Sequence, residues 1–93
     1  MQVRERIQRS LAEALQPVKL DVIDESDLHA GHSGAREGGE THFRVRVVSQ
    51  SFVGKRSVQR HRMVYDALKS EIASGVHALA LTTLTPDEVE ARR

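Results

Sequence analysis

The chain has 93 residues, of which 39% are hydrophobic and 29% charged, and its formal net charge is +1. This length supports one hydrophobic core, which excludes a multidomain enzyme, so we expect residues 1–93 to fold as a single domain. The absence of cysteine excludes disulfides, a cysteine nucleophile and any iron–sulfur cluster held by thiolates of this chain alone. No apolar run approaches the roughly 18 residues of a membrane span, and the N-terminus lacks the apolar centre of a secretory signal. We therefore expect a soluble, cytoplasmic protein that does not bind membranes.

An amphipathic helix followed by a strand is predicted at the N-terminus. Apolar residues recur every four positions along the helix: Val3, Ile7, Leu11 and Leu15. Pro17 ends the helix, because the residue before a proline avoids helical geometry. Alternation of apolar and polar residues then predicts a strand whose buried face carries Val18, Leu20 and Val22.

A second strand is predicted from Thr41 to Val48. Its core-facing residues are Phe43, Val45 and Val47. Arg44 and Arg46 alternate with them, so we expect both arginines to be exposed. The connection between the two strands, residues 26–40, contains four glycines and two histidines and is longer than a typical hairpin loop. Loops of this length are usually functional or disordered.

The next connection, residues 50–56, has Gly54 as its turn residue and Phe52 directed inward. A second helix is predicted from an N-cap at Ser57 to about Ala73, and Gly75 ends it. Its apolar positions are Val58, Val64, Tyr65, Leu68 and Ile72.

A third strand is predicted over residues 76–83, with Leu79 and Leu81 on one face and alanines on the other. A capping box follows, in which Thr85 is the N-cap, Pro86 the first helical residue and Glu88 the third. A short last helix begins there.

The order α-β-β-α-β-α predicts an α+β fold, a two-layer sandwich with a three-stranded mixed sheet. The first two strands should pair antiparallel. The second and third should be parallel, with a right-handed crossover that puts both longer helices on one face of the sheet.

Charge is unevenly distributed along the chain. Residues 21–40 carry six acidic residues and one basic residue, whereas residues 41–65 carry six basic residues and no acidic one. The two segments are either solvated faces of opposite sign or the halves of a polarised molecule whose basic surface binds an anionic partner.

Catalytic motifs are missing from the sequence. It contains no phosphate-binding glycine loop, no G-x-S-x-G, no H-E-x-x-H and no pair of carboxylates beside a base. We therefore expect a protein that is not an enzyme.

Five histidines in a chain without cysteine raise the question of a metal site. His29 and His32 lie in the long loop, where they are either metal ligands or ordinary polar residues. His42 and His61 are interpreted as surface residues of a strand and a helix, and His77 as a half-buried strand residue. Their spacing does not by itself diagnose a metal site.

The basic stretch around the start of the second helix suits an anion, because helix N-terminal amides add to the side-chain charge. Its strand–loop–helix resembles the nucleic-acid groove of a KH domain, in which a GXXG loop clamps the backbone. The loop here reads GKRS, without the second glycine, and the sequence offers no aromatic stacking platform. These departures weigh against RNA binding and leave a contact with DNA phosphates open.

Four blocks, in order and between Arg4 and Glu88, resemble the BolA family: VIDES, ETHFRVRVVSQSF, QRHRMVYDAL and VHALALTTLTPDE. The resemblance implies a class II KH-like fold and a non-catalytic protein that pairs with a monothiol glutaredoxin. The two proteins share a [2Fe–2S] cluster, whose thiolates come from the glutaredoxin and glutathione.

In this resemblance the main histidine ligand falls on His77 and the second on His29, with His32 as a substitute for His29. The isolated chain is expected to hold no cluster and to be a monomer or a weak homodimer. Family members are also described as DNA-binding transcriptional regulators. The residues expected to contact nucleic acid are Lys55, Arg56, Arg60, His61 and Arg62.

Overall fold

A computed structural model describes residues 2–25, 42–76 and 78–91 of the chain. The elements in chain order are α1 (Val3–Leu15), β1 (Lys19–Asp24), β2 (His42–Val48), a 3-10 turn (Gln50–Phe52), α2 (Ser57–Ala67), α3 (Lys69–Ala73), β3 (Ala78–Leu84) and α4 (Pro86–Ala91). Three of the predicted ligands, His29, His32 and His77, lie outside the described residues. Within the described ranges, no helix is both long and apolar enough to cross a bilayer.

The sheet has the strand order β1-β2-β3, with β2 at its centre. β1 pairs antiparallel with β2, and Asp21 lies opposite Arg46. β3 pairs parallel with β2, and Leu79 lies beside Phe43. Both pairings confirm the topology predicted from the order of the elements. The parallel pair follows from the helical crossover, since a short turn can join only antiparallel neighbours.

The core lies between the sheet and the helices on one of its faces. The alternating residues of β2 supply its centre, and α1 and α2 each contribute one apolar stripe. The buried core residues are Ile7, Leu11, Leu15, Val22, Phe43, Val45, Val47, Phe52, Val64, Leu68 and Val76. The α+β sandwich with its longer helices on one face is therefore confirmed.

The second predicted helix is divided in two. Leu68 has φ −102° and ψ 16°, outside helical geometry, and separates α2 from α3. Its N–H donates to the carbonyls of both Val64 (3.0 Å) and Tyr65 (3.2 Å), a tightened final turn. Two of the apolar positions of this helix, Val58 and Tyr65, have exposed side chains.

Three predictions of local detail are also corrected. Val18 is exposed, because it lies at a bend before β1 and the strand alternation does not extend to it. Arg46 is half-buried rather than exposed. The N-cap of α2 is Arg56, whose N–H donates to the side-chain carbonyl of Gln59 (2.8 Å), and Ser57 is the first helical residue.

The turn and capping predictions are confirmed elsewhere. Gly54 and Gly75 have φ of 78° and 127°, a region that favours glycine. At α4 the N–H of Thr85 donates to Glu88 Oε1 (2.8 Å), and the N–H of Glu88 donates to Thr85 Oγ1 (3.2 Å). These reciprocal bonds are the predicted capping box.

Candidate functional site

The described residues that flank the predicted ligands meet at one corner of the sheet. Glu25, at the end of β1, donates its N–H to the carbonyl of His42, at the start of β2 (2.8 Å). His42 is in turn the register partner of Ala78, the first residue of β3. The histidine loop is therefore attached beside the residue that follows His77.

An ion pair also holds Glu25, the described residue that precedes the loop. Arg44 Nε lies 3.0 Å from Glu25 Oε2, and the arginine side chain is more exposed than the glutamate. An ion pair of this kind adds little stability, since solvent screens it. Its effect is to orient Glu25 at the corner from which the loop departs.

The described part of the chain contains no group of three or more histidine or acidic side chains arranged to hold a metal ion. With no cysteine in the sequence, a [2Fe–2S] cluster fits this chain only if most of its ligands come from elsewhere. A shared cluster would require this chain to supply ligands from neighbouring positions. At the corner, the two segments that carry histidines in the sequence attach to adjacent backbone positions.

Arg60 occupies a different place from the other basic residues of its segment. Its side chain is only 12% exposed, and it forms a two-pronged ion pair with Glu88, Nη1 to Oε1 at 2.6 Å and Nη2 to Oε2 at 3.1 Å. It also donates to the carbonyls of Lys55 (2.9 Å) and Thr83 (3.1 Å) and lies over the ring of Phe52. The DNA contact predicted for Arg60 stays a prediction, whereas this geometry gives it a structural role.

The Arg60–Glu88 pair predicts a specific acid sensitivity. The hydrogen bonds from Arg60 and from the Thr85 N–H lower the pKa of Glu88 from 4.5 to about 2. Because the folded pKa is depressed, the pair stabilises the fold above the unfolded pKa, and its contribution is lost as pH falls from about 4.5 to about 2.

Glu88→Gln keeps the capping box and removes the charge. Denaturant unfolding at several pH values should show wild type more stable near neutral pH, with the gap closing by about pH 2. A gap independent of pH would contradict this assignment.

The remaining basic residues are available to a partner. Lys55, Arg56 and Arg62 are exposed, and His61 is half-buried beside them. Lys55 and Arg56 precede the first turn of α2, where free backbone amides reinforce positive charge. The structure therefore places two exposed cations of the predicted set just before α2 and the third, Arg62, at the middle of the helix.

Sequence reasoning missed an apolar cleft beside Tyr65, in the C-terminal part of α2. It has a volume of about 330 Å³ and is lined by Tyr65, Ile72, Val76, Ala78 and Leu79. The ring of Tyr65 is on its rim, with 44% of the residue exposed. Helical periodicity included Tyr65 among the apolar positions of the second helix, but it did not show that the ring lies exposed beside a cleft.

A family model described as BolA-like protein matches residues 11–88. The chain belongs to the BolA family. The matched range contains the corner, the cleft, the basic end of α2 and every predicted site residue. The BolA-like resemblance of the four sequence blocks is thereby confirmed.

Two curated relatives illustrate the breadth of the BolA family. The chain is 48% identical over 90 residues to "DNA-binding transcriptional regulator BolA" of Escherichia coli, covering 97% of this chain and 82% of that protein. It is 49% identical over 88 residues to "SufE-like protein 1, chloroplastic/mitochondrial" of Arabidopsis thaliana, covering 90% of this chain and 24% of that protein. The chain thus spans about a quarter of the second relative, which is a longer protein.

The BolA fold is also found among solved structures. BolA1 from Arabidopsis thaliana has a TM-score of 0.82 and 39% identity, with 95% of this chain and 96% of that chain covered. BolA proteins are a family of regulators and partner proteins rather than of enzymes.

Proposed function

We propose that this BolA protein is a non-catalytic partner of a monothiol glutaredoxin, with which it ligates a bridging [2Fe–2S] cluster. The glutaredoxin and glutathione supply the thiolates, and His77 with His29, or His32 in its place, supplies nitrogen. The complex would act in iron–sulfur cluster trafficking or in iron and redox regulation. A cluster with two imidazoles on one iron has a chemical precedent in Rieske centres.

The observation that supports this proposal is the corner of the sheet. The Glu25–His42 hydrogen bond and the His42–Ala78 register bring together the ends of the two histidine-bearing segments. β3 is paired along its whole length with the central strand. A ligand attached to such a strand has little conformational entropy to lose on binding.

Reconstitution tests the proposal directly. The purified chain is mixed with iron, sulfide, glutathione and a monothiol glutaredoxin, and visible absorption and circular dichroism are recorded. Omitting either protein provides the controls. We expect no stable cluster on the chain alone, and a mixed-complex spectrum different from that of the glutaredoxin alone. A mixture whose spectrum equals that of the glutaredoxin alone would refute a shared cluster.

A second candidate function is DNA binding by a transcriptional regulator. Two observations favour it: the exposed cations before and along α2, and the name of the Escherichia coli relative, a DNA-binding transcriptional regulator. The contacts would be to phosphates, made by Lys55, Arg56 and Arg62, with His61 beside them. Such binding is steeply salt-dependent and nearly independent of sequence, since it releases counterions from the backbone.

Removing a single exposed cation should therefore lower the affinity for duplex DNA and reduce its salt dependence. Arg62→Ala is expected to weaken binding about equally for all sequences and to reduce the slope of log K against log salt by about 1. Lys19→Ala, which removes an exposed cation of β1, is the matched control. Fluorescence anisotropy over a salt series measures both quantities. An affinity that is constant from low to physiological salt would contradict this mode.

A further inference from the structure

The exposed face of α2 carries apolar and aromatic groups as well as charge. Val58 is 69% exposed and Tyr65 44% exposed, and Arg62 lies between them on the same side, since residues three or four apart are neighbours on a helix. Neither apolar side chain contributes to the core. Tyr65 therefore presents an exposed ring, contrary to the expectation from the sequence that no aromatic stacking platform is present. Exposed aromatic groups beside cations are typical of surfaces that bind a partner.

The cleft next to Tyr65 has the size and chemistry for one planar group. Its volume of about 330 Å³ lies at the low end of the range for small-ligand sites. Among the described residues that line it, all except Tyr65 have aliphatic side chains. A flat, weakly polar ring can stack on the phenol there without leaving a charge unpaired.

Positive charge predominates on the exposed residues of this part of the chain. Between residues 50 and 76 the exposed cations are Lys55, Arg56, Arg62 and Lys69. The acidic residues in this range are Asp66, which is exposed, and Glu71, which is buried. Arg60 adds no free charge, because Glu88 neutralises it. A polyanion complements this surface. A single-stranded nucleic acid is a flexible polyanion that carries a planar base on every unit.

We propose that this surface binds single-stranded nucleic acid, with one base stacked on Tyr65 at the cleft and the phosphates on Lys55, Arg56 and Arg62. The inference rests on the second candidate function and refines its ligand. A duplex keeps its bases inside the helix, so it reaches the cations but not the phenol ring. From Ser57 to Tyr65 the helix extends about 12 Å, at 1.5 Å per helical residue, and Lys55 and Arg56 lie just before it, so the surface is long enough for a few nucleotides.

The composition of the chain supplies a selective probe, because Tyr65 is the only tyrosine and there is no tryptophan. Intrinsic fluorescence therefore reports on Tyr65 alone. Titration with an oligothymidylate single strand is expected to quench it, whereas a duplex that binds through phosphates leaves it unchanged. Anisotropy of labelled oligonucleotides gives the affinities of the variants.

Tyr65→Ala is expected to weaken single-strand binding about 5- to 150-fold, the effect of losing one stacked base. Tyr65→Phe keeps a stacking ring and should retain the affinity. Arg62→Ala should weaken single-strand and duplex binding alike, and Lys19→Ala neither. Because Tyr65 and Arg62 are exposed, these changes should leave the fold intact, which far-ultraviolet circular dichroism checks.

Three results would overturn the proposal. Duplex binding that matches or exceeds single-strand binding, with Tyr65→Ala neutral, would leave the second candidate function standing and refute the stacking site. Absence of binding to either oligonucleotide would refute both. A monothiol glutaredoxin that binds the wild-type chain but not Tyr65→Ala, with no binding of oligonucleotides, would show that the surface serves a protein partner.

Discussion

Replacing Phe43 with alanine is expected to lower the free energy of unfolding by about 3 to 5 kcal/mol. Phe43 is 1% exposed at the centre of the core, with Asp24 of β1 and Leu79 of β3 as its register partners. Truncation therefore removes buried apolar surface and leaves a cavity between the sheet and the helices. A small domain is stable by only about 5 to 15 kcal/mol, so this single change removes a large share.

Urea unfolding followed by circular dichroism measures the loss. Val58→Ala is the matched control, since it also truncates an apolar side chain but on the exposed face of α2, and its effect should stay within about 0.5 kcal/mol. If Phe43→Ala does not fold, Phe43→Leu gives a smaller loss on the same site. A loss below about 1 kcal/mol would show that Phe43 contributes less to the core than its burial indicates.

The largest functional effect is expected from His77→Ala, which should abolish the mixed glutaredoxin cluster or strongly change its spectrum. His29→Ala should shorten the lifetime of the complex, and His32→Ala should have a smaller effect. The reason for the order is entropic: His77 directly precedes a fully paired strand, whereas a ligand in a long loop must be ordered on binding.

The three variants are reconstituted in parallel and followed by visible circular dichroism over time. His42→Ala is an informative control, since this histidine lies at the same corner and is not assigned to the cluster. Because an imidazole binds iron only when deprotonated, the wild-type complex should also dissociate as pH falls through about 6. An unchanged spectrum and lifetime for His77→Ala would refute the ligand assignment and direct attention to the basic surface.

The parts of the fold that depend on local patterns were predictable from the sequence. The four-residue repeat of α1, the alternation in β2 and the Thr85–Glu88 capping box each involve residues within a single helix, strand or turn. The pattern reports which residues share a face. It does not report how wide a stripe of the helix the core covers, so it did not show that Val58 and Tyr65 are exposed.

The parts that depend on distant contacts were not predictable. Arg60 reads as one base in a basic run, and only the fold brings Glu88, 28 positions later, against its guanidinium. Glu71 reads as a solvated helix residue, yet it is buried where α3 meets α1 and accepts a hydrogen bond from Ser10 (2.9 Å). For the site, the sequence identified the cations at the start of α2, but not the cleft.

The central position of β2 has a consequence for synthesis on the ribosome. β1 emerges before β2, but β3 follows only after α2 and α3, so one edge of β2 has no partner until residues 78–84 are made. β2 itself, HFRVRVV, contains no acidic residue. An open strand edge of this kind readily pairs with other chains. A chain truncated within α3 and released should therefore recruit chaperones or aggregate. Since His77 immediately precedes β3, the strand that closes this open edge also positions the proposed ligand.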